Sequence, residues 1–192
     1  IVKSSAKTSE LLSDSLHRLQ PDIVLLLGDR YETLAAASAA LLMNIPIAHI
    51  HGGEKTEGAV DEQIRHAITK MSYLHFCSTE QYRQRVIQMG EDPKRVFNSG
   101  APGIDNIINL KPLTKIQLEE ELEWQFNDNS VLFTYHPVTL KDTDLQSDLE
   151  FIFDLLAKFK FNILFTYANA DLGNHIINQN IDNQIEISEQ YQ

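Results

Sequence analysis

The densest group of ionisable side chains in this sequence lies between positions 49 and 66 and has the composition of an acid–base site. Histidines, carboxylates and an arginine occur close together there: His49, His51, Glu54, Glu57, Asp61, Glu62, Arg65 and His66. Carboxylates packed beside histidines shift one another's pKa values, which favours proton transfer at neutral pH. The alternative is a solvated helix start whose acidic residues face the positive end of the helix.

The spacing within this group indicates which residues could act together. Asp61 and Arg65 are four residues apart in a predicted helix, as are Glu62 and His66, so each pair can meet on one helix face. His49 lies in an apolar strand pattern and is predicted to be a core histidine with satisfied hydrogen bonds. Strand residues two apart share a face, so a metal site is permitted. No cysteine pair and no HExxH pattern supports one, and we predict neither metal nor cofactor.

Two mostly apolar runs must position these side chains. The runs, at residues 23–27 and 45–50, each stop abruptly at glycine and ionisable residues, with Asp29 after the first and His51 after the second. Runs with little polar alternation suit strands covered on both faces, and ligands bind beyond the carboxyl ends of parallel strands. Asp29 could therefore face a ligand or simply cap the next helix, and Arg30 could pair with Asp29 or with a phosphate.

The second half of the chain repeats this arrangement. His136 follows a predicted strand at residues 130–135, and Asn169 and Asp171 follow another at residues 161–167. The same rule places these three side chains at the carboxyl edge of a second sheet. If the two sheets face each other, all four loops line one cleft.

Six apolar segments alternate with helical periodicities, which predicts an α/β fold with parallel sheets. A proline-containing break at residues 111–112 predicts two domains, 1–110 and 111–192, while residues 99–103 are predicted to be a loop. Four strands precede the break and two follow it, and two strands do not make a stable sheet. The first helix has no strand before it. We therefore expect both domains to be incomplete and the chain to be a fragment.

Composition restricts the partners. The chain has 16 basic and 27 acidic residues, a formal net charge of −11, and no basic stripe, so nucleic acid and anionic membrane are not expected partners. No apolar run approaches the ~20 residues of a membrane span. The single cysteine, Cys77, lies in an apolar segment and is predicted to be a buried thiol, which fits a reducing cytoplasm.

Two stretches of the first half closely resemble the hydrolysing UDP-N-acetylglucosamine 2-epimerases of bacterial sialic acid synthesis. They read LLGDRYETLAAASAALLMNIPIAHIHGGEKTEGAVDEQIRHAITKMSYLHF and STEQYRQRVIQMGEDPKRVFNSGAPGIDNI. Beyond the break, TYHPVTL and TYANADLGNHIIN also resemble that family. The resemblance covers nearly everything from residue 22 to residue 178, and the motif HxGGExTEGAxDExIRHAITKMSxLHF is long and specific.

The resemblance implies a glycosyltransferase-B-like fold, in which two Rossmann-like parallel-sheet domains face a cleft that binds the nucleotide sugar. It implies a cytoplasmic enzyme that converts UDP-N-acetylglucosamine and water to N-acetylmannosamine and UDP. The reaction attributed to the family eliminates UDP to give a glycal and then adds water with inversion at the second carbon. We expect a homo-oligomer for the full-length protein. Members of the family are roughly twice this long, so this chain alone is expected to be inactive or poorly active.

Motif matching also implies roles for individual residues. Asp29 matches a catalytic aspartate, and Asp61 matches the acid of the helix that frames the site. His51 stands where related epimerases often carry a catalytic glutamate, so either His51 or Glu54 could perform the second proton transfer. The substrate-binding roles are assigned to Arg30, Arg65, His136, Asn169 and Asp171.

Other functions stay open on the sequence. A non-hydrolysing epimerase, an epimerase acting on UDP-diacetylbacillosamine, or a glycosyltransferase of the same architecture would yield different products. A nucleotide-sugar-binding module would bind UDP without turnover, although the acid–base group argues against it. A metal hydrolase would be sensitive to chelators.

Overall fold

A computed structural model describes residues 1–56, 59–136, 144–159, 161–169 and 173–187 of the chain. The chain divides into two compact units, Ile1–Leu110 and Lys111–Gln192, and each is described separately. Of the described helices, none is both long enough and apolar enough to cross a membrane.

Unit 1 alternates helices with short strands. In the described part of this unit the elements are α1 (Val2–Leu19), β1 (Val24–Leu27), α2 (Tyr31–Leu42), β2 (Ile47–Ile50), α3 (Asp61–Met71), β3 (Leu74–Cys77), α4 (Glu80–Gln88), β4 (Val96–Asn98) and α5 (Pro102–Asn109). Thr79 caps α4, because its side chain accepts a hydrogen bond from the Tyr82 backbone N–H.

The four strands form one parallel sheet in the order β1-β2-β3-β4. The register pairs Leu27 with Ile50, and Ile50 with Phe76, so the carboxyl ends of neighbouring strands lie side by side. Chain order and sheet order therefore coincide, and every loop that leaves a strand at this edge can contact the loop of its neighbour.

The core of unit 1 lies between the sheet and the first three helices. Its fully buried members include Ala37 and Ala40 of α2, Ile47 of β2 and Ile68 of α3. The alanines let α2 approach the sheet closely, because their side chains are small.

Two sequence expectations for unit 1 are wrong. Strand β1 is covered on one face only in the described part of the chain, because Val24 and Leu26 pack on the core while Leu25 and Leu27 are 62% and 57% exposed. The predicted loop at residues 99–103 ends early, since α5 begins at Pro102. Proline is favoured at the first helical position, where its missing N–H would have no partner.

Unit 2 contains a second parallel pair of strands. Its described elements are α6 (Lys115–Glu121), β5 (Ser130–Thr134), α7 (Leu145–Ala157), β6 (Asn162–Thr166) and α8 (Asn174–Ile187). Strands β5 and β6 pair in parallel, and the core packs α7 against α8 through residues such as Leu149, Phe153 and Ile177. Helix α8 runs to Ile187. The prediction of an α/β fold with parallel sheets is confirmed.

Candidate active site

Three adjacent strand ends of unit 1 each lead into a polar side chain. Asp29 follows β1, His51 follows β2 directly, and Ser78 follows β3 directly. Because the strands are parallel and adjacent, these three positions lie along one edge of the sheet. The edge that the sequence predicts for Asp29 and His51 therefore exists, and Ser78 is added to it.

Asp29 is tied to helix α3 by an ion pair. Arg65 Nη2 donates to Asp29 Oδ2 and also to Thr56 Oγ1, the latter at 3.0 Å. The side chain of Arg65 is 6% exposed and that of Asp29 22% exposed, so the carboxylate reaches solvent while its partner is buried. Asp29 does not cap α2, because the cap position is Arg30 and no side chain bonds there. The capping alternative for Asp29 is therefore wrong.

The two arginines of this edge differ in how they are held. Arg30 Nε donates to Glu32 at 3.2 Å, and its guanidinium lies over the ring of Tyr31. Arg65 keeps two buried donors, Nε and Nη1, that have no hydrogen-bond partner among the residues that the structure describes. Buried donors without acceptors are costly, so Arg65 retains capacity for a further acceptor.

His51, Glu54 and Ser78 form a hydrogen-bonded set. Glu54 Oε1 lies 2.6 Å from His51 Nδ1 and accepts a hydrogen bond from Ser78 Oγ at 2.7 Å. Burial raises the pKa of Glu54, but the bonds from Ser78 and His51 and the charge of Arg65 outweigh it and lower the pKa overall. Glu54 is therefore a carboxylate at neutral pH, and it can accept a proton or hold His51 as a proton donor.

The backbone of this loop is held in conformations that few residues adopt. His51 has a φ of 68°, in the left-handed region, and its N–H donates to the Phe76 carbonyl at 2.9 Å. Gly53 has a φ of 81°, and a Cβ there would collide with the Tyr82 carbonyl oxygen and with Val86. Only glycine fits between the loop and α4, and this close packing fixes where His51 and Glu54 project.

Helix α3 carries two further acidic residues of the group, whereas Glu57 lies outside the described residues. Asp61 is its first residue, one turn before Arg65. Glu62 lies 3.8 Å from His66, which confirms the predicted pair, and Glu62 Oε2 also accepts from the Thr56 backbone N–H at 3.3 Å. Burial lowers the pKa of His66, so this imidazole is mainly neutral at neutral pH.

His49 and Cys77 are buried in the core, as the sequence predicts. His49 is fully buried, and both of its ring nitrogens have partners, Gly28 O at 2.8 Å and Thr69 Oγ1 at 3.2 Å. Cys77 is a buried free thiol, and burial raises its pKa to about 11. No group of three or more histidine, cysteine or acidic side chains in the described ranges is placed to hold a metal ion.

In unit 2 the structure brings two of the three predicted residues together. The Asn169 backbone N–H donates to His136 Nδ1 at 3.4 Å, and both residues are exposed after the ends of β5 and β6. Asp171 lies outside the described residues.

Sequence reasoning missed three hydroxyl groups at the unit 1 edge: Ser78, Thr56 and Thr69. The rule that selected Asp29 and His51 also selects Ser78, which directly follows β3. Thr56 and Thr69 gave no such signal, because their partners are distant in sequence or lie inside a helix.

Comparisons with known proteins agree on one family. A family model described as UDP-N-acetylglucosamine 2-epimerase matches residues 1–191. GDP/UDP-N,N'-diacetylbacillosamine 2-epimerase (hydrolyzing) from Campylobacter jejuni is 44% identical over 184 residues, which are 95% of this chain and 48% of that protein. Polysialic acid biosynthesis protein P7 from Escherichia coli is 42% identical over 165 residues, 83% of this chain and 41% of that protein.

Solved structures show the same fold. UDP-GlcNAc 2-epimerase from Neisseria meningitidis, bound to UDP-GlcNAc, superposes with a TM-score of 0.78 at 22% identity, over 97% of this chain and 52% of that one. The chain thus spans about half the length of the proteins it matches.

Proposed function

Because the chain belongs to the UDP-N-acetylglucosamine 2-epimerase family, we propose that it is part of a longer, hydrolysing 2-epimerase acting on a UDP-linked N-acetylated amino sugar. One observation carries the proposal: a carboxylate–arginine pair and a His–Glu–Ser set share one sheet edge. Such an edge supplies a base, an acid and a cation within a short distance, which are the groups that elimination and hydration require.

The proposed reaction has two balanced steps. A base removes the proton from C2, the electron pair left behind forms a C1–C2 double bond, and the C1–O bond breaks so that UDP leaves with its electrons. Water then adds to the resulting glycal, with hydroxide joining C1 and a proton joining C2. This proton arrives on the face opposite to the one from which the first proton was removed, so the configuration at C2 is inverted. The products are UDP and the free 2-epimeric sugar, and each proton transfer contributes about 10²–10⁴-fold to the rate.

Residues of unit 1 fit these roles by their state in the folded protein. The lowered pKa of Glu54 keeps it ionised, so that it can accept a proton or hold His51 as a proton donor. Asp29, which is partly exposed beside Arg65, is the first candidate for proton removal at C2, with Asp61 as a further acid of the site. The buried donors of Arg65 suit it to an anionic group of the substrate.

Residues of unit 2 and Arg30 complete the proposal as substrate-binding groups. His136 and Asn169 are exposed at strand ends, where they can reach a diphosphate without leaving a core. Asp171 keeps its proposed role in substrate binding. A cytoplasmic location and a homo-oligomeric full-length protein are also part of the proposal. Neutral and cationic hydrogen-bond donors can stabilise departing UDP, so no metal is required by this scheme.

Two substrates are proposed. The first is UDP-N-acetylglucosamine, which would yield N-acetylmannosamine for sialic acid synthesis. The second is UDP-N,N'-diacetylbacillosamine, favoured by the 44% identity to the C. jejuni enzyme named for that substrate. The two differ in the groups at C4 and C6 of the sugar and share the reacting atoms at C1 and C2.

The test is to incubate the full-length enzyme with each nucleotide sugar and to identify the products by NMR. We expect UDP and a free sugar epimerised at C2 from at least one substrate, with no loss of rate on adding a chelator. An epimerised sugar still attached to UDP, a transferred sugar, or UDP binding without turnover would each contradict the proposal.

A further inference from the structure

One buried histidine, His49, has no role in the proposed reaction but connects two residues that do, Asp29 and Arg65. His49 lies on β2, fully buried, between the end of β1 and the last turn of α3. Its Nε2 is 2.8 Å from the carbonyl oxygen of Gly28, and its Nδ1 is 3.2 Å from Thr69 Oγ1. Gly28 immediately precedes Asp29, and Thr69 follows Arg65 by one helical turn.

The partners of His49 fix where its proton lies. Burial lowers the pKa of His49 to about 4, so the ring is neutral at neutral pH and carries one N–H. A carbonyl oxygen can only accept, so the proton is on Nε2 and points at Gly28. Nδ1 must then accept, and the only hydrogen that Thr69 Oγ1 can offer is its hydroxyl hydrogen.

Thr69 has two acceptors for that single hydrogen. Its Oγ1 lies 3.0 Å from the Arg65 carbonyl oxygen as well as 3.2 Å from His49 Nδ1. The hydroxyl is therefore shared between the imidazole and the backbone of Arg65. His49 is in this way connected on one side to the residue before Asp29 and on the other to the backbone of Arg65.

Close packing leaves little freedom in this connection. A Cβ at Gly52 would lie 3.1 Å from Thr69 Oγ1 and 3.3 Å from His49 Nδ1, so the backbone of the His51–Glu54 loop passes directly against the pair. A displacement of the imidazole would therefore disturb Asp29, Arg65 and the loop together.

We propose that His49 is a positioning residue, which holds Asp29 and Arg65 in register through the Gly28 carbonyl and the Thr69 hydroxyl. The inference rests on the proposed function, because it assigns that pair to the reaction. Removal of the connection should lower kcat, since Asp29 is misaligned with the reacting atoms. It should leave KM little changed, since His49 does not touch substrate and the Arg65 side chain is still held by Thr56.

The neighbouring strand offers a matched control. His75 pairs in register with His49 and is equally buried, but its Nε2 lies 3.1 Å from Glu91, and within the described residues it has no hydrogen bond to Asp29, Arg65 or the His51–Glu54 loop. The same substitution at both histidines removes a similar volume from the same sheet. A general loss of core packing would affect both variants alike.

The experiment compares five variants in the full-length enzyme. His49→Asn keeps a donor near the Nδ1 position only, whereas His49→Gln keeps one near Nε2 and can still reach Gly28. Thr69→Val removes the shared hydroxyl, and His75→Gln is the control. We expect kcat to fall about 10²-fold in His49→Asn with KM nearly unchanged, and His49→Gln to recover part of the loss.

The remaining variants complete the pattern. Thr69→Val should lower kcat in the same direction, and Thr69→Ser should restore it. His75→Gln should lower the free energy of unfolding but keep kcat. If His49→Asn does not fold, His49→Gln and the Thr69 pair still decide the question, because each changes one hydrogen bond and little volume.

A second readout does not depend on turnover. The ¹³C resonance of the Asp29 carboxyl carbon should move in His49→Asn, return towards the wild-type position in His49→Gln, and stay in place in His75→Gln. Full kcat in folded His49→Asn, an equal loss in His75→Gln, or an unmoved Asp29 resonance would overturn the inference. If the wild-type enzyme releases no UDP, the proposed function fails, and the Asp29 resonance alone decides whether His49 positions the pair.

Discussion

The two units hold their strand-end side chains in different ways. In unit 1, Asp29 is bonded to Arg65 across 36 residues of sequence, and Glu54 to Ser78 across 24. In unit 2, His136 and Asn169 are exposed and share one hydrogen bond at 3.4 Å. All the buried polar side chains of the described chain belong to unit 1: His49, Arg65, Thr69, Ser72 and His75.

This difference matches the tasks that we propose for the two units. Proton transfer needs groups held in a fixed geometry with shifted pKa values, which buried hydrogen-bonded networks provide before substrate arrives. Binding of a flexible diphosphate needs donors that can be reached from solvent. Unit 1 therefore has the character of a preorganised reaction site, and unit 2 that of a surface that binds the substrate.

The sharpest test of the comparison is loss of the carboxylate at the end of β1. Asp29→Asn removes the proposed base but keeps the shape of the side chain, so we expect kcat to fall by about 10²–10⁴-fold with the fold retained. Asp22→Asn, an exposed aspartate just before the other end of the same strand, is the control. Near-normal turnover in Asp29→Asn would contradict the proposal that unit 1 carries out the proton transfer.

Acid should weaken unit 1 before unit 2. Burial lowers the pKa of His49 from 6.5 to about 4, so between these values the unfolded chain binds a proton that the folded chain does not. Stability is then present above pH 6.5 and is lost as the pH falls towards 4, by about 3 kcal/mol for this residue. Burial also lowers the pKa of His75, which adds to the loss.

Hydrogen exchange measured at pH 7 and pH 4.5 can resolve this effect unit by unit. Amides of unit 1 should lose more protection than those of unit 2, whose described core is apolar. His49→Gln should reduce the pH dependence, because glutamine does not titrate. An equal loss of amide protection in both units, or an unchanged dependence of protection on pH in His49→Gln, would show that buried histidines do not determine stability in acid.

Substitution in unit 2 should change binding more than chemistry. We expect His136→Gln to raise KM about tenfold, the effect of one lost hydrogen bond to a charged group, with kcat largely kept. His175→Gln, an exposed histidine on α8, serves as the control. A selective fall in kcat would mean that unit 2 takes part in the chemistry and that the division of tasks is wrong.

The smallest expected effect concerns tuning of Glu54. Ser78→Ala removes the hydrogen bond that most lowers the pKa of Glu54 and leaves burial, which raises it, so the pKa should rise. The acidic limb of the kcat/KM profile should then move to higher pH by less than about one unit. Ser99→Ala, which changes the serine that follows β4, should leave the limb where it is, and equal profiles for both variants would contradict the assignment.

Local patterns in the sequence predicted much of the fold. Apolar runs and helical periodicities placed all six described strands and most helices, because burial on a sheet or helix face leaves a periodic mark. The rule for strand ends then placed Asp29 and His51 at one edge. The sequence patterns did not predict the exposed face of β1, which depends on what packs against it, or the start of α5, where Pro102 takes the first helical position.

The choice of partners was beyond local reasoning. Helical spacing drew attention to Asp61 as a neighbour of Arg65, whereas the bond to Asp29 joins a strand end to a helix across the fold. The left-handed φ of His51 and the shared hydrogen of Thr69 likewise follow from tertiary packing. Residue types revealed which chemistry was available, and only the fold revealed which side chains share it.

The most direct test of the central claim is turnover of the full-length enzyme in D₂O, followed by NMR of the released sugar. If the edge of unit 1 removes the C2 proton and solvent replaces it, every molecule of free 2-epimer should carry deuterium at C2, and UDP should be released in equal amount. Asp29→Asn should form both products about 10²–10⁴-fold more slowly. A free sugar that retains its original C2 hydrogen would contradict the account.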